Sequence, residues 1–145
     1  MIILKTFYLF KINTDYINLA RKTPDNIFIL LNSIYKHDKK ELNIAFDLFD
    51  EICLPINNDF FNDYIYKKLN TYDEYTKFKN VHMYNNYFTD EISKMVVNKS
   101  HIRIKSNTNE NIFIINLKAL GNLFLCDFDN NYYDYFLNKS KIKLK

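Results

Sequence analysis

The sequence predicts a single α+β domain over residues 1–145, a largely antiparallel β-sheet packed with about five helices. Three observations predict it. Apolar residues recur at helical spacing from Tyr16 to Leu69, the period shortens to two after Asn70, and most successive strands are joined by turns too short for a parallel crossover. A chain of 145 residues buries about 70% of the surface its unfolded form exposes, so one core suffices.

Ile3 to Lys11 alternates as a strand, with Ile3, Phe7 and Leu9 on one face and Leu4, Tyr8 and Phe10 on the other. Both faces are apolar, which places it centrally in the sheet. Asn13, Thr14 and Asp15 offer an N-cap for a short helix carrying Tyr16, Ile17, Leu19 and Ala20. Thr23-Pro24 starts a second helix, since Thr can cap free amides and Pro at the first position loses no hydrogen bond. Its stripe is Ile27, Phe28, Leu31, Ile34 and Tyr35. Asp38 with Glu41 resembles a capping box for a third helix, with Leu42, Ala45, Phe46, Phe49, Ile52 and Cys53 on one face and Pro55 as its stop. Asn57 or Asn58 caps a fourth, with Phe60, Phe61, Tyr64, Ile65 and Leu69 in its stripe.

Phe78 to Phe88, Ile92 to Val97 and His101 to Lys105 then read as strands, the last two joined by Asn98, Lys99 and Ser100. Asn107 with Glu110 opens a fifth helix, and Gly121 closes it where a left-handed residue is wanted. Leu123 to Phe128 and Tyr132 to Leu137 form a closing hairpin around Asp129, Asn130 and Asn131, residues that tolerate a tight reversal.

Composition limits the chemistry. The net charge of +3 rests on 18 Lys against two Arg in a chain rich in Asn, Ile and Phe, the pattern of AT-rich coding rather than of clustered phosphate contacts. One glycine leaves no phosphate-cradling loop of the Rossmann or Walker type. Cys53 and Cys126 sit in apolar surroundings and read as buried thiols of a reducing cytoplasm. His37, His82 and His101 have no second ligand at metal spacing, and the acidic pairs Asp47/Glu51 and Asp59/Asp63 read as solvated helix faces. No metal, cofactor or catalytic residue is expected. The apolar start is interrupted by Lys5 and Thr6 and reads as a strand rather than a signal peptide, and no uncharged apolar run approaches the ~18 residues of a membrane span.

A surface for another protein remains, with Tyr16 as an amphipathic anchor. The competing reading is single-stranded nucleic acid bound by Tyr132 to Phe136 and Lys139, Lys141, Lys143 and Lys145.

Phe7-Tyr8-Leu9-Phe10-Lys11 is followed by Glu51-Ile52-Cys53-Leu54-Pro55-Ile56, Tyr66-Lys67-Lys68-Leu69 and Phe124-Leu125-Cys126-Asp127-Phe128 with Tyr132 and Asn138. In this order and spacing the chain resembles, nearly end to end, the sporulation inhibitor of replication family, SirA. The resemblance implies a non-enzymatic, monomeric, cytoplasmic regulator that binds the N-terminal domain of the bacterial replication initiator DnaA and inhibits initiation of chromosome replication, with no direct contact to nucleic acid or membrane. It implies partner contacts at Tyr16, Ile17 and Ala20 on the first helix if that helix starts with a two-residue insertion, and at Leu48 on the third. Without the insertion the matching positions are Thr14 and Asn18.

Overall fold

Strand β1 (Lys5–Ile12) buries residues on both faces and occupies the middle of the sheet, with β6 (Ile102–Ser106) on one side and β7 (Leu123–Asp127) on the other. The computed structural model describes residues 3–36 and 42–137. After β1 come a 3-10 turn (Thr14–Tyr16), α1 (Ile17–Lys22), α2 (Pro24–Tyr35), α3 (Leu42–Ile52), β2 (Cys53–Leu54) and α4 (Asn58–Leu69). Next are β3 (Tyr75–Phe78), β4 (Val81–Asn86), β5 (Glu91–Val97), β6, α5 (Ile112–Lys118), β7, a second 3-10 turn (Phe128–Asn130) and β8 (Tyr132–Phe136). All pairings are antiparallel, in the order β3-β4-β5-β6-β1-β7-β8, and β2 extends the β6 side of β1 opposite Lys11 and Ile12. This is an α+β fold, with five α-helices among the described residues.

The strand period divides the core in two. Phe7 and Leu9 point to one face, where α4 and α5 cover them together with Met95, Ile102, Ile104 and Leu125. Tyr8, Phe10 and Ile12 point to the other, beneath α1, α2 and α3 with Phe124, Cys126 and Phe128.

Several boundaries differ from expectation. The strand expected over Phe78 to Phe88 is β4 alone, shortened at both ends, and β3 before it was not expected: Lys79 takes a left-handed conformation (φ 54°), and Asn80 ties the reversal to β5 by donating from its side chain to the Val97 carbonyl, 2.8 Å. Asn111, not Asn107, caps α5: its Oδ1 accepts from the Ile114 amide at 2.9 Å. Asn107 is engaged elsewhere, accepting from the Ile92 amide and donating to the Asp90 carbonyl. Thr23 does not cap α2 with its side chain, since its hydroxyl turns back to donate to the Leu19 carbonyl, whereas Pro24 stands at the helix start as expected. Cys53 lies in β2 rather than in α3, and His101 just precedes β6. Phe46 stays 42% exposed at the edge of a cavity it lines with Phe49, whereas Ile52 is buried. Asn57 caps α4 through the Phe60 amide, Gly121 is left-handed (φ 76°), and Asn131 is left-handed in the closing hairpin. The expected Asp38–Glu41 capping box, His37 and the lysines from 139 to 145 lie outside the described residues.

Candidate protein-binding site

Asn13 fixes how the first helical segment meets α3. Its Oδ1 accepts from the Asp15 amide at 3.1 Å and caps the 3-10 turn. Its backbone amide donates to the Ile52 carbonyl at 2.7 Å, and its side chain donates to the Glu51 carbonyl at 3.2 Å. Next to these bonds the Tyr16 hydroxyl donates to Glu51 Oε1, a short contact that joins segments 35 positions apart. That carboxylate, accepting the phenolic proton, raises the Tyr16 pKa above its ordinary value, with desolvation adding to the shift. Leu48 stands three residues before Glu51, so it shares that face of α3.

Of the expected contact residues, the structure therefore brings Tyr16 and Leu48 to one surface. Leu48 is 41% exposed, and the half-buried Tyr16 ring packs on the core beneath the helices. Ile17 is also half-buried against that core. Ala20 is 0% exposed, which removes it as a partner contact: it turns inward beside Ile27 in the same cluster. The outward side of the segment is instead Thr14, Asn18 and Leu19, the last 42% exposed. Thr14 and Asn18 are the positions matched without the insertion. Leu19 was not singled out in the sequence, where an apolar residue beside Ala20 in so short a helix carries no mark of facing outward. The rim is acidic, with Asp15, Asp47, Asp50 and Glu51 all exposed.

In the closing hairpin Phe136 is buried, Tyr133 and Tyr135 pack against the helical cluster, and Tyr132 alone of the four aromatics is largely exposed.

Burial governs the other reactive groups. Desolvation pushes the Cys53 thiol up to about 12 and Cys126 well above its ordinary value, so both thiols stay protonated at neutral pH. His82 is fully buried, its pKa lowered to about 4 by desolvation and by nearby Lys77. Asn62 Oδ1 can only accept, so His82 Nε2 carries the proton (2.8 Å) and Nδ1 accepts from the Tyr75 hydroxyl (2.7 Å). A nitrogen pair engaged in this way is a structural strut. Among the described residues no group of three or more His, Cys, Asp or Glu is placed to hold a metal ion, and no helix is long and apolar enough to cross a membrane.

Fold and surface together define an α+β domain that presents two exposed leucines around a tethered tyrosine within an acidic rim. No protein-family model matches the chain, and no curated protein matches it.

Proposed function

We propose that this protein is a non-enzymatic regulator that binds the N-terminal domain of the bacterial replication initiator DnaA and restrains initiation of chromosome replication, in the family during sporulation. The observation that carries the reading is the Tyr16–Glu51 tether, which holds the outer edge of the first helical segment beside Leu48 as one surface. Such a surface suits a protein partner. Leu19 and Leu48 supply apolar anchors, Tyr16 a rigid amphipathic one, and the acidic rim favours a partner with a basic border. The mechanism is steric: α1 and α3 cover the face of the initiator domain that other subunits or assembly factors use.

Titration calorimetry against the N-terminal domain of the initiator from the same organism, at two salt concentrations, tests the proposal. One-to-one binding with weak salt dependence is expected, because the central contacts are apolar. Tyr16→Ala and Leu48→Asp should each weaken it at least roughly tenfold. Absence of heat with folded protein refutes the partner, and wild-type affinity in both variants refutes the surface.

A further inference from the structure

The sheet's second face is only half covered. The buried cluster beneath α1, α2 and α3 draws its strand residues from β1, β2 and β7 and includes none from β3, β4, β5 or β6. On those four strands the outward residues form two cross-strand rows. One runs Phe78, Val81, Val96, Arg103, and the other Thr76, Met83, Lys94, Lys105. Asn85 and Ile92 make a further pair towards the β4–β5 turn. The floor is therefore apolar, with Phe78 72% exposed and Met83 and Ile92 each 40%. It carries Lys94, Arg103 and Lys105 and no carboxylate in those rows. Among the described residues the ion pairs are Lys67–Asp63 and Lys118–Glu110, so none of these three cations is paired. Near the turn the face deepens into a cavity of about 670 Å³ lined by Met83, Tyr87, Ile92 and Asn107 and by the two carboxylates Asp90 and Glu91.

The matching surface is on the same molecule. Helix α3 stands at the border of the covered half, where Phe46, Phe49 and Asp50 face Arg103 across a cavity of about 530 Å³. Its outer side carries Asp47, Asp50 and Glu51, with the exposed Phe46 and Leu48 on opposite flanks, about 200° apart around the helix. Four strands spaced about 4.8 Å apart make a face about 15 Å across, the length of roughly ten helical residues. Helix α3 has eleven.

We propose that two copies of this chain associate through this face about a two-fold axis, the acidic outer side of α3 of each lying on the open β3–β6 sheet of the other. The helical layer of one copy fills the step left by the other, and the contact closes on itself without leaving a free end. Carboxylates of α3 then meet Lys94, Arg103 and Lys105. A single nucleic-acid strand fits less well, because Phe78 is the one aromatic in the two rows and offers a single stacking platform. The association replaces the monomer expected from the sequence and takes the α3 side that the initiator reading gives to the partner, so the two compete for it; it is measured on the protein alone.

Sedimentation velocity over a concentration series tests it, using Lys94→Glu/Lys105→Glu and Asp47→Lys/Asp50→Lys, all at exposed positions. The wild type should show a concentration-dependent dimer. Each variant alone should raise the dimer dissociation constant at least roughly tenfold, by placing like charges together, and mixing the two should restore the dimer. A monomer mass up to about 1 mM, where even a contact of ~4 kcal/mol shows, overturns the proposal. So does a dimer indifferent to both variants, or variants that fail to rescue each other. Titrating a monomer with oligothymidylate or a polyglutamate peptide, and following the Lys94 and Lys105 amides by NMR, then assigns the face to nucleic acid or to an acidic foreign protein.

Discussion

Replacing His82 with Gln should reshape the dependence of stability on pH. His82 is buried and neutral, and its folded pKa of about 4 lies below the ordinary 6.5. Above pH 6.5 neither folded nor unfolded chain protonates it, and the full stability is present. As the pH falls from 6.5 towards 4 the unfolded chain takes up a proton that the folded one refuses, so stability is lost across that window. At 1.36 kcal/mol per pKa unit the loss approaches about 3 kcal/mol by pH 4. Gln can donate to Asn62 and accept from Tyr75 but holds both less well, which should cost about 1–2 kcal/mol at pH 7. The two stability curves should therefore cross between pH 4 and 6.5, the variant being the more stable at the acid end. Urea unfolding at a series of pH values gives both curves. His101, whose pKa burial also lowers, slopes the two proteins alike, so the informative quantity is their difference. Parallel curves would refute the assignment of His82 as a buried neutral strut.

Asn111→Ala should destabilise the fold by about 1–2 kcal/mol, read from the urea midpoint, because α5 loses its cap and the Thr108 carbonyl a donor. Neither cysteine should react with Ellman's reagent at pH 8 in the native protein, since a thiol of pKa about 12 is ionised in only about one molecule in ten thousand; both should react in denaturant.

The central position of β1 was legible because Tyr8 and Phe10 oppose Phe7 and Leu9 across the strand, and a two-faced apolar strand needs cover on both sides. The reversal at Lys79 was not, since no glycine marks it and alternation continues through it. Caps were blurred by composition. With Asn at both 107 and 111, local pattern could not tell which one turns to the α5 amides and which ties β5 to its neighbouring loop. At the candidate site Leu48 was named only through the family resemblance, since it lies off the apolar stripe of α3. The inward turn of Ala20 was not legible, because six residues give fewer than two helical turns, too few for a period to fix a face. The Tyr16–Glu51 bond is long-range and has no local signature.

The position of β1 bears on how the chain folds. Its neighbours in the finished sheet, β6 and β7, follow roughly a hundred residues later, and the Asn122 side chain closes on the Ile12 carbonyl across 110 positions. During synthesis at ~5–20 residues per second, β1 waits several seconds for β6 and β7, with only the short β2 made earlier to pair with Lys11 and Ile12. Its residues, Lys-Thr-Phe-Tyr-Leu-Phe-Lys-Ile, are strongly strand-forming, with a lysine near each end as gatekeeper against pairing with another nascent chain. The slower the synthesis, the longer that wait, so production should be most vulnerable to aggregation where chains emerge slowest.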